Sequence, residues 1–259
     1  MAVKSTTDYK VASFETVHAA SPPAKILVVA TDDGKLNMAN GKVLNSGNHP
    51  AETLIPLLHF KAAGFALEFA TITGAPVVLE MWSFPTKDTA VVAFHHELKP
   101  LLASPKKLSD IDASLAGYAG IYISGGHGAM VNLPESVDLG KLLNAAHSAS
   151  LPTMALCHGP AALLAASKNP GVPFPYQGFK MVSFSDATDK MTPKIGYLPG
   201  PMPWLMQEAL TAQGAEMLNS SEKGATHIDR ELITGDSPQA ASKLALLAVP
   251  ILVEHAKKR

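Results

Sequence analysis

The chain of 259 residues contains a single cysteine, Cys157. An internal disulfide is therefore excluded, which suits a reducing compartment. An excess of one charge is also missing, because 21 basic and 22 acidic residues nearly cancel, and no basic block favours nucleic acid or a membrane surface as a partner. Apolar runs long and clean enough for a bilayer-spanning helix or a signal peptide are absent as well. These absences predict a soluble, cytoplasmic protein.

The residues that are present, 47% hydrophobic and 17% charged, are typical of a well-packed globular protein. Short apolar runs such as "KILVVA", "GYAGIYISGG" and "LPTMALC" read as strands, and helical patterns separate them. Strands that alternate with helices indicate βαβ units and a mostly parallel sheet. The sequence therefore predicts an N-terminal extension over residues 1–24 and one α/β domain with insertions over residues 25–259.

The lone cysteine lies in "MALCHGPAALL", between a predicted strand and a predicted helix. A sharp turn at that point pushes a nucleophile out of the sheet and aims the following N–H groups at one place. The positive end of a helix that starts near Pro160 would lower the thiol pKa. A buried and inert cysteine is the alternative. The position at the turn itself, with His158 adjoining, favours a nucleophilic Cys157.

Further polar or flexible residues follow other predicted strands, at the edge where parallel sheets bind ligands. The N–H groups of Gly125 and Gly126 could face an oxyanion, although a tight turn would use the same glycines. His127 fits either a site wall or a surface loop. The backbone N–H of His158 comes directly after the cysteine and is another candidate oxyanion donor.

Two carboxylates complete the candidate site. Glu52 falls in the first turn of the helix predicted from "NHPAETLIPLLHFKAAG", where the helix dipole favours a carboxylate in any protein. Asp186 follows the strand predicted in "GFKMVSFSD" and could hold the imidazole of His158 in one tautomer, as the third member of a triad does. Taken alone, each has an ordinary structural explanation.

The combination of "GNHPAE", "YISGGHGAMVNLPES", "ALCHGPAALL", "SFSDATDKMTPKIGYLPG" and "LITGDSP" resembles the ThiJ/PfpI superfamily, and more narrowly its HchA-type branch. The resemblance covers nearly the whole chain from Lys25 onward. It implies a flavodoxin-like, doubly wound, mostly parallel sheet of the class I glutamine amidotransferase kind with a small cap, and usually a homodimer. Members of this branch are described as glutathione-independent glyoxalases (glyoxalase III, D-lactate dehydratase) and as heat-inducible holding chaperones.

The resemblance also assigns roles to the candidate residues. It implies that Cys157 is the nucleophile, with His158 beside it and Asp186 as the carboxylate partner of that histidine. It makes Glu52 the carboxyl group that faces the thiolate. The oxyanion donors would be the N–H groups of Gly126 and His158.

One feature of the best-known members of the branch is missing here. They carry a metal cluster of two histidines and one carboxylate, and the corresponding places hold Lys61, Ala66 and Leu98 in this chain. Those side chains cannot form such a site. We therefore predict no metal and no cofactor.

The function that these implications favour is the conversion of a small 2-oxoaldehyde, methylglyoxal or glyoxal, to a hydroxy acid through a hemithioacetal on Cys157. Several alternatives stay open at this point. They are a holding chaperone for unfolded client proteins, a deglycase, a peptidase or amidase that uses Cys157, and a redox sensor based on the same thiol.

Overall fold

The structure is a computed structural model that describes residues 5–14 and 23–258. The N-terminal extension predicted over residues 1–24 is therefore described in part, because residues 1–4 and 15–22 lie outside the described residues. Residue 259 lies outside them as well.

The described residues form eleven strands and six α-helices. The strands are β1 (Lys25–Val29), β2 (Lys35–Asn37), β3 (Val43–Asn45), β4 (Ala66–Thr71), β5 (Lys106–Lys107), β6 (Tyr118–Ile123), β7 (Thr153–Leu156), β8 (Lys180–Met181), β9 (Glu216–Met217), β10 (Thr226–Asp229) and β11 (Leu232–Gly235). The α-helices are α1 (Pro50–Ala62), α2 (Thr89–Ala103), α3 (Val137–Ser148), α4 (Asp186–Met191), α5 (Met206–Ala212) and α6 (Ala241–Lys257). A 3-10 helix, Gly159–Lys168, follows the cysteine where the sequence predicts a helix.

Seven strands form the main sheet in the order β10-β11-β7-β6-β1-β4-β5. All neighbouring pairs are parallel except β10 with β11. The chain adds strands first on one side of β1 and then on the other, so the direction of winding reverses between β1 and β6. Ligands bind at such a switch point in open parallel sheets. The predicted doubly wound, flavodoxin-like α/β fold is confirmed.

The centre of the sheet is buried on both faces. The last four residues of β1 and every residue of β6 and β7 are buried, as expected for parallel strands covered by helices on each side. Helix α1 packs against α6 and α2, while α3 packs against the 3-10 helix Gly159–Lys168. This packing holds the strand ends, and the loops that leave them, in fixed positions. Over residues 5–14 and 23–258, no helix combines the length and hydrophobicity that a bilayer crossing requires.

The structure differs from the sequence-based strand assignment at "GFKMVSFSD". Only two residues of this segment form a strand, β8, and it pairs with β9 outside the main sheet. The Val182 N–H donates a hydrogen bond to the Thr234 hydroxyl oxygen, and the Ser183 N–H donates one to the Asn219 side-chain oxygen. Side-chain partners therefore replace the ladder that would continue the strand. The edge strand β10 and the β2–β3 hairpin inside residues 31–50 were not predicted.

The described part of the N-terminal segment packs on the domain. The Lys87 N–H donates to the carbonyl oxygen of Ser5 at 2.8 Å. The rings of Tyr9 and Phe14 lie 5.0 and 5.7 Å from the ring of His59. Residues 5–14 thus form part of the wall of the domain, and Thr6, Thr7 and Asp8 reach its main cavity.

Candidate active site

A cavity of about 540 Å³ opens at the carboxyl ends of β6 and β7. It therefore lies beside the switch point of the sheet. The residues that line it are Thr6, Thr7, Asp8, His49, Ala51, Glu52, Ile55, Glu80, Trp82, Ser83, Pro85, Gly126, His127, Cys157, His158, Phe184, Tyr197, Glu222, Ser237, Pro238 and Gln239.

Cys157 lies at a sharp turn directly after β7, with a φ of 60°. This left-handed conformation is uncommon for a residue with a side chain and marks a turn held by its surroundings. The Cys157 N–H donates to the Gly235 carbonyl, and the Cys157 carbonyl accepts the Phe184 N–H, both at 2.8 Å. The backbone is thus fixed on both sides, and the thiol faces the cavity, as in a nucleophile elbow. The predicted strand-end position of Cys157 is confirmed.

Glu52 lies against this thiol. Its side chain is fully buried in the first turn of α1, and its carboxyl group faces the Cys157 thiol and the Gly126 N–H. Neither carboxyl oxygen completes a hydrogen bond with a described residue. Gly125 makes this approach possible, because a Cβ there would lie 1.9 Å from Glu52 Oε2 and 2.8 Å from Cys157 Cβ.

The thiol pKa differs from the sequence-based expectation. Burial raises the pKa of Cys157 well above its usual value, and the charge of Glu52 raises it further. Burial likewise raises the pKa of Glu52 well above its usual value. The expectation that a helix start lowers the thiol pKa is therefore wrong, because desolvation and a neighbouring acid outweigh the following turn. Thiol and carboxyl titrate as a pair that resists carrying two negative charges.

His158 connects the thiol to a carboxylate. Its Nδ1 lies 3.4 Å from Cys157 Sγ, and its Nε2 lies 3.0 Å from Asp189 Oδ2. The ring stacks on Phe184 with 4.5 Å between ring centroids. Burial and the nearby imidazole of His127 lower the pKa of His158. A neutral imidazole held this way can accept the thiol proton.

The carboxylate beside His158 is Asp189, and the prediction that assigned Asp186 to this place is wrong. The Asp186 carboxylate accepts the N–H groups of Gln207 and Glu208, at 2.9 and 2.8 Å, in the first turn of α5. Asp186 therefore caps the start of α5 and does not pair with the imidazole.

The start of α4 explains the exchange of the two aspartates. The Ser185 hydroxyl accepts the Thr188 N–H at 3.2 Å and caps α4, so Asp186 is the first helical residue and Asp189 lies about one turn further on. Residues three apart on a helix do not share all their neighbours. Here only Asp189 reaches the imidazoles of His127 and His158. The "SFSDATD" motif contains both aspartates, and its serine cap was the available signal.

Asp189 also binds His127. The Nε2 of His127 lies 3.1 Å from Asp189 Oδ1, and its ring centroid lies 4.0 Å from that of His158. Burial lowers the pKa of His127, but the hydrogen bond and charge of Asp189 outweigh it, and the net shift is upward. The two imidazoles share one carboxylate and differ in their pKa shifts, which favours a charged His127 beside a neutral His158.

Gly125, Gly126 and His127, the residues predicted to bind an oxyanion or the substrate, lie together at the site but differ in what they contribute. The Gly126 N–H faces the Cys157 thiol and Glu52, and a Cβ at Gly126 would lie 2.4 Å from the Gly47 carbonyl oxygen. Gly125 contributes by its lack of a side chain, which leaves space for the Glu52 carboxyl group. The His127 N–H faces the Glu80 carboxyl instead. Gly126 is thus the member of the three whose N–H faces the thiol.

Two further titratable residues at the cavity were not identified from the sequence. Glu80 is 3% exposed and accepts the Ser46 hydroxyl at 2.6 Å, and burial raises its pKa. Burial and the neighbouring imidazoles lower the pKa of His49 to about 4. His49 belongs to the "NHPAE" motif, which could have drawn attention to it. Glu80 lies in a loop without a sequence signal.

The metal cluster of the best-known members of the branch has no counterpart at Lys61, Ala66 and Leu98, the corresponding positions of this chain. Lys61 forms an ion pair with Glu97, Leu98 is buried in α2, and Ala66 begins β4, so these positions do not fit a metal. Elsewhere in the described chain, one ring nitrogen from each of two histidines and a carboxylate oxygen of Asp189 lie within 4.8 Å of one another. Both nitrogens are hydrogen-bonded to that carboxylate. The absence of a metal stays a prediction.

The fold and site define an α/β protein with a cysteine at a strand-end elbow facing a buried carboxyl. No protein-family model matches the chain. The chain is 46% identical over 227 residues to the protein/nucleic acid deglycase HchA of Escherichia coli O157:H7, covering 86% of this chain and 79% of the relative. The chain belongs to the HchA branch of the ThiJ/PfpI superfamily, which confirms the family predicted from its motifs.

Solved structures agree on the fold. Glyoxalase III from Candida albicans superimposes with a TM-score of 0.71 at 22% identity, covering 88% of this chain and 97% of the other. A ThiJ/PfpI domain protein from Brachyspira murdochii gives a TM-score of 0.59 at 11% identity over 90% and 98% of the two chains. At these identities the similarity establishes the fold alone.

The two aspartates make a matched test of the site. We expect Asp189→Ala to lower turnover at least about tenfold, because it leaves His158 without the group that orients it. Asp186→Ala should mainly lower the free energy of unfolding, by about 1 kcal/mol, through loss of the cap on α5. Steady-state rates and urea unfolding of both variants provide the measurement. Equal loss of turnover in the two variants would contradict the assignment of Asp189.

Proposed function

We propose that this protein is a glutathione-independent glyoxalase of the D-lactate dehydratase type, which converts methylglyoxal to lactate. The observation that carries the proposal is the contact between the fully buried Glu52 carboxyl and the Cys157 thiol at the floor of a cavity. An internal redox shift within a 2-oxoaldehyde needs a nucleophile and an acid–base group at adjacent carbons. This pair supplies both.

The first step is addition of sulfur to the aldehyde. The thiol proton passes to His158 or Glu52, and the sulfur of Cys157 forms a bond to C1 of methylglyoxal, which gives a hemithioacetal. The negative charge on the former aldehyde oxygen faces the Gly126 N–H and the N–H of His158, the residue after the nucleophile. Protonation of that oxygen completes the adduct.

The second step moves a proton between carbons. Glu52 removes the proton from C1, and an enediolate forms. A proton then returns to C2, which is reduced to the alcohol, while C1 is oxidised to a thioester on Cys157. Water hydrolyses the thioester, releases lactate and restores the thiol. The net reaction adds one water to methylglyoxal and needs no external oxidant or reductant.

The raised pKa of Glu52 supports its role in this scheme. A carboxyl group transfers protons most effectively when its pKa lies near the working pH, and burial shifts the pKa of Glu52 in that direction. The same burial removes water that would compete for the enediolate. Glu52 thus has the environment that a proton carrier between C1 and C2 requires.

A second candidate function is deglycation. It is favoured by the 46% identical relative, which is named a protein/nucleic acid deglycase. The sulfur of Cys157 would form a bond to C1 of a hemiaminal adduct, the C1–N bond would break, and the amine would leave with a proton. The resulting hemithioacetal would then follow the steps given above. The prediction that nucleic acid is not a partner, the expected homodimer, and the chaperone, peptidase and redox-sensor interpretations stay predictions.

The decisive experiment follows free methylglyoxal in D₂O with the purified protein, without glutathione, in an amine-free buffer that contains a chelator. We expect lactate with deuterium at C2, because the enediolate exchanges its proton through Glu52 before C2 is reprotonated. Proton NMR measures both the yield and the label. Deuterium at C2 excludes a direct hydride shift from C1 to C2, and the absence of any lactate contradicts the proposal. No lactate, together with release of arginine from its methylglyoxal adduct, would favour deglycation instead.

A further inference from the structure

The walls of the cavity carry several acidic side chains. Glu52 and Glu80 are buried at its floor. Glu222, half-buried, and Asp8, exposed, lie nearer the solvent. Among the described residues that line the cavity, none is lysine or arginine. His127 is the lining residue whose shift favours a positive charge, and the Asp189 carboxylate opposes that charge directly.

The floor of the cavity also indicates what kind of ligand fits. Both oxygens of the fully buried Glu52 lack a hydrogen-bond partner among the described residues and face the space next to Cys157. A ligand that carries a hydroxyl or a hydrated carbonyl can satisfy these oxygens. An anionic ligand in the same place would add a further negative charge beside a thiol–carboxyl pair that already resists carrying two.

We propose that this site selects its carbonyl compounds by charge, with Glu222 and Asp8 as specificity-determining residues. The site binds uncharged 2-oxoaldehydes and excludes anions of the same size, such as the carboxylates of 2-oxoacids. This inference rests on the proposed function, because it names the substrate class of the same site. Carboxylates at the entrance repel an anion before it reaches the thiol, and the effect weakens as salt screens them.

The Glu222 carboxylate is held in place by two hydrogen bonds. Glu222 Oε1 accepts the Ser185 N–H and its Oε2 accepts the Thr188 hydroxyl, each at 2.6 Å. Asp8 belongs to the N-terminal segment, whose Ser5 carbonyl oxygen accepts a hydrogen bond from the Lys87 N–H. Fixed charges exert a steadier field than side chains that rotate freely in solvent. Glu222 also supports the start of α4, so a test must separate charge from positioning.

Alkylation of the single cysteine gives such a test. Iodoacetamide and iodoacetate have nearly the same size and react with the same thiolate, but the second is an anion. The ratio of their rate constants at Cys157 cancels the fraction of thiolate and any shift in its pKa. The same ratio for the chain unfolded in guanidinium chloride gives the intrinsic preference of the reagents. Intact-protein mass spectrometry follows both reactions without any need for enzymatic activity.

We expect the native chain to prefer iodoacetamide over iodoacetate about tenfold more strongly than the unfolded chain does, since two unit charges a few ångströms from the path each contribute a factor of about three. Glu222→Gln, which can keep both hydrogen bonds, should reduce this preference about threefold, and Asp8→Asn should reduce it less because Asp8 is exposed. Glu216→Gln, an exposed acid outside the cavity, is the matched control and should leave the ratio unchanged. Raising the salt concentration should reduce the preference in the native chain.

Equal ratios in the native and unfolded chains would overturn the proposal, as would a native preference that Glu222→Gln together with Asp8→Asn leaves intact. Failure of both reagents to reach Cys157 would overturn it too. These outcomes are distinct from failure of the proposed function. A protein that forms no lactate but keeps the charge preference would retain the selective site and lose the glyoxalase assignment.

Discussion

Replacing Cys157 with serine is expected to lower lactate formation from methylglyoxal at least about a thousandfold, because no other side chain in the cavity can form the thioester. The substitution exchanges sulfur for oxygen and keeps the shape of the side chain. Serine has a far higher pKa than a thiol, and the buried Glu52 disfavours a second negative charge beside it. Measurement of lactate by a coupled assay over several hours gives the needed range.

The folded state of this variant must be verified, since Cys157 occupies a strained turn with a φ of 60°. The backbone contacts to Gly235 and Phe184 do not involve the sulfur, so the thermal unfolding midpoint should change by only a few degrees. Suppression of aggregation of a heat-denatured client should persist if the protein is a holding chaperone, because that activity needs no thiolate. Retention of more than a few per cent of the lactate-forming rate would end the covalent scheme.

The positions of Cys157 and Glu52 were predictable because each depends on local rules. A buried strand followed by a glycine-containing turn places a residue at the carboxyl edge of a parallel sheet, and "NHPAE" begins a helix whose first turn contains Glu52. The topology then brings these loops together at the reversal between β1 and β6. Motif and sheet geometry together are sufficient for that step.

The partner of His158 was not predictable by the same route. Asp186 and Asp189 lie three residues apart in one short helix, and their roles depend on which face of α4 meets the imidazoles and which meets α5. That choice is made by packing between distant segments, here the contacts of Asp186 with the backbone of α5. Spacing along the chain does not encode it.

The pKa of the thiol shows a second limit. The sequence indicates a turn and a following helix, both of which favour a thiolate. Burial to 4% exposure and the contact with Glu52 act in the opposite direction and prevail. Desolvation arises from the whole surrounding core, including β6, α1 and the covering loops. A property set by many distant residues is hard to read from one motif.

Replacing Glu52 with glutamine is expected to lower the turnover number by about a hundredfold to ten-thousandfold, the usual contribution of a positioned general acid or base. The Michaelis constant should change much less, since glutamine keeps the size and most of the polarity of the side chain. Glu80→Gln is the matched control, because it removes another buried carboxyl group from the same cavity. Its loss of turnover should stay below about tenfold.

Glu52→Gln should make the Cys157 thiol more reactive towards alkylation, although it lowers the turnover number. The charge of Glu52 raises the pKa of Cys157. Removal of that charge lowers the thiol pKa, and the pH profile of iodoacetamide alkylation should move to lower pH.

The stability of the Glu52→Gln variant should depend on pH differently from that of the wild type. The folded-state pKa of Glu52 lies above its unfolded value, so the wild-type chain loses stability as pH rises through the folded-state pKa, whereas Glu52→Gln does not. The variant should therefore gain thermal stability relative to the wild type in alkaline buffer. An unchanged alkylation profile together with an unchanged turnover number would separate Glu52 from both the thiol and the proton transfer.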